Sequence, residues 1–214
     1  VVLEPRKMWP TGLERLGLDL RGRIGATEPG RAIARLTDLG HGQQLRELFR
    51  PGAGDGPVPL PLVHAMIEVL RDWQPRPDAI VVVESTTRAR LTRDLADGLS
   101  RHLGVPITAQ VAVVDPDVPP GRGSANSAQR LAAVHRRYAL VGDVPGVRVL
   151  LVDDLMVTGW TLAWSAANPG TTPTFRPRDR VALVGAGFGS GVDVDYAKIL
   201  IGNTVTSAST TVYD

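Results

Sequence analysis

Two stretches of the chain are apolar at every position, residues 79–83 (AIVVV) and 149–152 (VLLV). A strand with no polar face is buried on both sides, the pattern of a parallel sheet covered by helices. Between them, Leu91, Leu95, Leu99 and Leu103 recur every fourth residue, a helical stripe over 89–104 that Gly104 ends. Val63, Met66, Ile67, Leu70 and Trp73 repeat with helical spacing over 62–73. A strand is predicted over 105–114. A helix follows from Asn126 or Ser127, either of which can cap it, through Tyr138. Its buried side carries Leu131, Val134 and Tyr138. Residues 31–50 predict a further helix, broken near Gly40 to Gly42. Strand and helix alternate, so the fold class is α/β: a doubly wound parallel sheet flanked by helices, with its ligand at the carboxyl ends of the strands.

The remaining segments are weakly patterned. Residues 1–30 scatter Gly, Pro and Arg and fit one or two short strands or a docking arm. Residues 51–61 are a Pro/Gly-rich connection. Asn168-Pro169-Gly170 stops the last helix early. The tail beyond is rich in Thr, Ser, Gly and Val; it predicts strands near 180–185, 197–201 and 204–213, with Gly202-Asn203 as a turn. The chain therefore divides into an arm and helical segment (1–58), an α/β core (59–167) and a β-rich tail (168–214).

Composition narrows this picture modestly. A length of 214 residues suits one α/β domain with additions, or two small ones. The net charge of +2 makes no bulk case for nucleic acid. Nearly all the basic residues are Arg, with Lys at 7 and 198 alone, and Arg favours bidentate contacts to phosphate and carboxylate. The absence of Cys excludes disulfides, a thiol nucleophile and thiolate metal sites, and fits a cytoplasmic location. No apolar run approaches membrane-spanning length, so no membrane partner is expected. The chain begins with Val1, which fits a fragment or a processed product.

The chemistry concentrates where the second apolar strand ends. Asp153 and Asp154 follow it, then three apolar residues, then Thr158-Gly159-Trp160-Thr161. Backbone N–H groups, hydroxyls and a helix N-terminus can together hold one phosphate. Two carboxylates one short loop away suit ribose hydroxyls or a magnesium hydration shell. The plain alternative is a buried strand ending in a solvated Asp pair.

This stretch resembles the 5-phosphoribosyl-1-diphosphate (PRPP) signature of type I phosphoribosyltransferases: four apolar residues, two acids, three variable residues, then Thr/Ser-Gly-x-Thr/Ser. The resemblance implies that Asp153 and Asp154 are catalytic and hold the ribose. It implies that Val157, Thr158, Gly159, Trp160 and Thr161 cradle the 5-phosphate. After the first apolar strand, Ser85-Thr86-Thr87-Arg88 enters a helix. These residues are either an ordinary turn with capping hydroxyls or, as the resemblance implies, the pyrophosphate-binding loop. Gly121-Arg122-Gly123, within 115–127, sets hinge glycines around a cation; it is either the family's mobile lid or a plain connection. Mg²⁺ is the implied cofactor, carried in with PRPP and held near Asp153 and Asp154 without direct protein ligands.

A longer likeness covers about residues 10–167. It rests on residues 30–40, the strand and loop at 79–91, Asn126-Ser127-Ala128-Gln129-Arg130 and the signature with its Trp160. These resemble, in the same order, the C-terminal domain of RecQ-like DNA helicases of high-GC bacteria. The region ahead of the signature is more weakly similar to ComF-type phosphoribosyltransferases. No Walker A sequence is present, so the chain is not itself an ATP-driven motor.

Three departures stand out. Trp160 replaces a glycine common in catalytic relatives; its bulky ring must go somewhere, and stacking on a base or packing on the lid are two options. Val157 replaces the Asp of 6-oxopurine transferases. The tail matches nothing in the family, so the acceptor base is unreadable. Residues 184–191 (VGAGFGSG) echo a dinucleotide fingerprint, but Ser190 occupies a glycine position. His41, His64, His102 and His135 lack metal or catalytic spacing; the last three fall on helices as surface or boundary residues.

The function expected is a PRPP-binding, phosphoribosyltransferase-like domain of nucleotide metabolism, a glycosyltransferase if active. The alternative is a non-catalytic PRPP- or nucleotide-sensing or docking module beside a helicase domain, touching DNA indirectly. Direct DNA binding by the Arg-rich first 50 residues is a weaker third reading. A homodimer is compatible with each.

Overall fold

The computed structural model describes residues 1–24, 29–119, 126–143, 148–156 and 159–167, together with the backbone of 180–187, 198–201 and 205–206. The elements in chain order are β1 (Val2–Leu3), a 3-10 turn (Glu14–Leu16), β2 (Gly30–Ala32), α1 (His41–Phe49) and α2 (Leu60–Trp73). Then come β3 (Ala79–Val83), α3 (Ala89–Leu103), β4 (Ile107–Val113), α4 (Ser127–Arg137) and β5 (Tyr138–Gly142). The chain continues with β6 (Arg148–Asp153), α5 (Trp160–Ala167), β7 (Arg180–Gly187), β8 (Lys198–Ile201) and β9 (Val205–Thr206).

All nine strands form one sheet in the order β1-β2-β8-β7-β6-β3-β4-β5, with β9 also on β7. Its centre is β7-β6-β3-β4, four strands running parallel. The apolar runs supply the two middle ones, and every residue of β3 is buried. Alternate side chains feed two cores. Val81, Val83, Val149 and Leu151 face α4, α5 and the N-terminal arm. Ile80, Val82, Leu150 and Val152 face α1, α2 and α3. The fold is thus mixed α/β, with helices on both faces of a largely parallel centre.

The periphery differs from the sequence expectation. The sheet is mixed: β5 runs antiparallel to β4, while β1, β2 and β8 add antiparallel pairs on the far side. Tyr138 was expected to end a helix. It is the extended C-cap of α4 and the first residue of β5. The helical spacing of 131–138 masked this half-exposed edge strand, which has no apolar alternation to reveal it. The expected helix over 31–50 exists only from His41. Before it, Asp38 Oδ2 accepts from Arg35 N at 2.7 Å and Gly40 sits at φ 68°, a turn that a helix cannot continue through. Buried Gly42 explains the close join: a Cβ there would stand 2.3 Å from the Arg35 carbonyl oxygen.

The tail's first strand, β7, pairs parallel with β6 from Arg148↔Arg180 to Asp153↔Gly185. The first glycine of the 184–191 stretch therefore lies within a strand, and residues 188–191 lie outside the described residues. Of the strand expected over 204–213, Val205–Thr206 is described and residues 207–214 are not.

The connection 51–59 is fastened to α3. Asp55 accepts from Arg90 N at 2.8 Å and Leu91 N at 3.0 Å, and Asp94 accepts from Val58 N at 2.8 Å. Asp55 thus caps α3 from 35 residues away. Among the described residues, no helix is long and apolar enough to cross a membrane.

Candidate functional site

Strands β3 and β6 lie side by side with Val82 opposite Val152. Their following loops therefore emerge together at the carboxyl edge, and the sequence candidates from both meet there. Asp153 and Asp154 are 6% and 7% exposed, so the diacid is a buried pair and not a solvated turn. Ser85 Oγ donates to Asp154 Oδ2 at 2.5 Å, joining the two loops across 69 positions of chain. The same hydroxyl oxygen accepts from Arg88 N at 3.1 Å, which closes the 85–88 turn. Leu155 N reaches back to Asp153 Oδ1 at 3.4 Å.

Thr86 and Thr87 are exposed on this rim. Arg88 is half-buried; it donates to the Thr87 carbonyl at 2.9 Å and the Arg50 carbonyl at 3.4 Å. The first free amides of α3 are occupied by Asp55. An anion at this loop would thus meet hydroxyls and guanidinium groups, not a bare helix N-terminus.

On the other loop, Gly159 has φ 74°, a left-handed conformation that a glycine adopts without strain. Its carbonyl accepts from Ala163 N at 2.9 Å, the first bond of α5. Thr161 is half-buried. Val157 and Thr158 lie outside the described residues, as do Gly121, Arg122 and Gly123 of the lid candidate.

Trp160 finds its ring partner in the N-terminal arm. It is 3% exposed and stacks on Trp9 of the N-terminal arm, with ring centroids 6.5 Å apart and planes 18° from parallel. Arg6 lies over the opposite partner of that stack, its Cζ 4.7 Å from the Trp160 ring centroid. Neither Arg6 nor Trp9 is legible as a site residue from its local pattern. Both belong to a segment without periodicity, and their partner is far along the chain.

Arg137 was missed as well. It is 4% exposed at the end of α4. Its Nη1 donates to the carbonyls of Pro116 (3.2 Å) and Val118 (2.5 Å), and Nη2 donates to Thr86 Oγ1 at 3.4 Å. No carboxylate ion pair is found for it among the described residues, and its Nε has no partner there. A buried cation without a counter-ion is costly, by several kcal/mol on the order of a broken buried pair. The helical stripe was the one available clue, since position 137 falls beside Val134 on the inward side.

Tyr138 adjoins Arg137 and the diacid. Burial raises its phenol pKa above the ordinary value, and the charge of Asp153 raises it further. Arg137 opposes this, while Asp154 adds a smaller upward push. The phenol therefore stays protonated as a hydrogen-bonding group at neutral pH.

Among the described residues, no group of three or more His, Asp or Glu side chains could hold a metal ion. His64 and His102 are exposed and His135 is half-buried. The diacid with its hydroxyl neighbours fits an ion that arrives already ligated by phosphate and hydroxyl oxygens. Searches against models of known protein families and against curated proteins return no match to this chain.

Proposed function

We propose that the carboxyl edge of β3 and β6 binds PRPP, with the chain acting as a phosphoribosyltransferase-like domain. The observation that carries this reading is the 2.5 Å bond between Ser85 and Asp154, which makes the diacid and the 85–88 loop one site. A ligand spanning it needs hydroxyls for the carboxylates at one end and anionic oxygens at the other. The anionic end has Thr86, Thr87, Arg88 and the buried Arg137, which has no carboxylate ion pair among the described residues, within one small region. A sugar carrying a diphosphate has this polarity.

As an enzyme, the domain would exchange pyrophosphate at the ribose anomeric carbon for a nitrogen base. Asp153 and Asp154 orient the ribose hydroxyls, and their charge stabilises positive charge developing on the sugar. Ser85, Thr86, Thr87 and Arg88 receive the departing pyrophosphate. Val157 to Thr161 hold the 5-phosphate, and Gly121-Arg122-Gly123 closes over the ligand. Mg²⁺, ligated by PRPP near Asp153 and Asp154, would neutralise part of the leaving group's charge. The protein's share is positioning.

A second reading is a module that binds PRPP or a nucleotide without transfer, docked on a helicase-type protein. It is favoured by the closed state of the carboxylates, both under 8% exposed, with Asp154 already engaged by Ser85. Calorimetric titration with PRPP and Mg²⁺ tests the shared premise. Binding in the micromolar range, lost in Asp153→Asn/Asp154→Asn, supports it; no binding by the intact protein overturns it. A screen of bases for pyrophosphate release then separates enzyme from sensor.

A further inference from the structure

Arg137 joins the end of α4 to the 85–88 loop and is held from both ends. Its backbone carbonyl accepts from Val114 N at 2.8 Å and from Asp115 N at 3.3 Å. Its Nη1 donates to the carbonyls of Pro116 at 3.2 Å and Val118 at 2.5 Å. Nη2 donates across the gap to Thr86 Oγ1 at 3.4 Å. At 4% exposure, the guanidinium leaves little for a ligand to touch directly.

The hydroxyls of the loop are not equivalent. A serine or threonine hydroxyl has one proton to give. Ser85 gives its proton to Asp154 Oδ2 at 2.5 Å, and its oxygen accepts from Arg88 N at 3.1 Å. It has no proton left for a ligand. Thr86 is arranged the other way round. Its oxygen accepts from Arg137, and a hydroxyl that accepts from a guanidinium turns its own proton away from that cation. Among the described residues that proton has no acceptor. Thr86 is exposed, so a ligand can reach it. The neighbouring charge polarises the O–H bond and strengthens it as a donor.

We propose that Arg137 is a positioning residue: through the Thr86 hydroxyl it presents one oriented donor to an anionic oxygen of a diphosphate. This rests on the reading that the loop takes pyrophosphate. The guanidinium is fixed by carbonyls before any ligand arrives, so the donor needs no reorganisation when the anion binds. A buried charge surrounded by carbonyls and a hydroxyl, without a carboxylate, is costly to hold. An anion settling against Thr86 offsets part of that cost.

The test titrates Mg-pyrophosphate and Mg-PRPP into the intact chain, Thr86→Val, Thr86→Ser, Arg137→Gln and the double variant Thr86→Val/Arg137→Gln, with melting curves beside each. Thr86→Val should weaken pyrophosphate binding by about tenfold, and Thr86→Ser, which keeps the hydroxyl, should restore it. Arg137→Gln should weaken binding at least as much. The double variant should be no weaker than Arg137→Gln alone, because the two residues act as one. Losses that multiply in the double variant overturn the inference, as does unchanged affinity in Thr86→Val. The cycle is repeated with Arg137→Lys, which keeps the charge but not the planar fork and should also bind weakly. Where the Arg137 variants fail to fold, Thr86→Val against Thr86→Ser still decides, since Thr86 is exposed. If Mg-PRPP binding depends on Asp153 and Asp154 yet ignores Thr86 and Arg137, the PRPP reading stands and this inference falls. Pyrophosphate binding that depends on both residues, without any PRPP binding, has the opposite meaning. If the intact chain binds neither, both fall.

Discussion

The two loops at the carboxyl edge follow neighbouring parallel strands and lead into helices, yet they are built on different principles. The loop after β3 is open. Its threonines are exposed, its helix N-terminus is filled by Asp55, and α3 beyond it is strongly amphipathic. The loop after β6 is closed. Its carboxylates are buried, and the α5 side chains from Trp160 to Ala166 are buried or half-buried. The first loop is held by polar contacts, Ser85 to Asp154, Arg137 to Thr86 and Arg88 to the Arg50 carbonyl. The second is fixed by the core. On the proposed reading, the closed loop would grip one end of the ligand and the open loop would release the other.

Breaking the closed side should have the largest effect. Trp160→Ala removes a buried ring that joins α5 to the arm, and an expected loss of about 3–5 kcal/mol follows from such truncations. Urea unfolding of the two proteins measures it. A loss below 1 kcal/mol on that order-of-magnitude scale would mean the arm does not depend on the stack.

Neutralising the diacid comes next. Asp153→Asn/Asp154→Asn should weaken PRPP binding by about a hundredfold, equivalent to roughly 2.7 kcal/mol. Ser85→Ala should destabilise by about 1 kcal/mol, because it removes the hydrogen bond that the Ser85 hydroxyl donates to the buried Asp154 carboxylate. Calorimetry reads the first and thermal unfolding the second.

On the open side, Asp55→Ala should cost about 1 kcal/mol, a typical cap loss, and lower Tm by about 2–4 °C for a chain of this size. It should also strengthen pyrophosphate binding modestly, because it exposes the α3 amides at positions 90 and 91. If stability and affinity both fall, Asp55 orders the loop as well as capping the helix.

The smallest effect is a titration. Trp164 Nε1 donates to His135 Nδ1 at 3.2 Å, so the imidazole must be neutral to accept. Burial lowers the His135 pKa below its ordinary value. The contribution is therefore complete above about pH 6.5 and is lost as pH falls through the lower folded-state value. Denaturation midpoints at pH 7.5 and about pH 5 should differ less in His135→Gln than in the parent.

The sequence made the centre of the molecule legible and its rim obscure, for a physical reason. β3, β6 and α3 announce themselves because burial on a fixed period leaves a local pattern, and Asp153, Asp154 and Ser85 were found because each lies next to such a pattern. Arg6, Trp9, Asp55 and Arg137 act through partners distant in sequence. No local spacing encodes those contacts. The edge strand β5 escaped for the converse reason: Tyr138 continues the helical spacing of α4, and the residues after it carry no apolar alternation.

The Trp9–Trp160 stack has a spectroscopic consequence. Two indoles held nearly parallel at this separation couple their electronic transitions, so the folded arm should contribute an exciton signature to circular dichroism that a displaced arm lacks. Their emission should respond to any charge that settles beside Arg6. The chain thus contains its own optical gauge of whether the arm is seated, readable without a label.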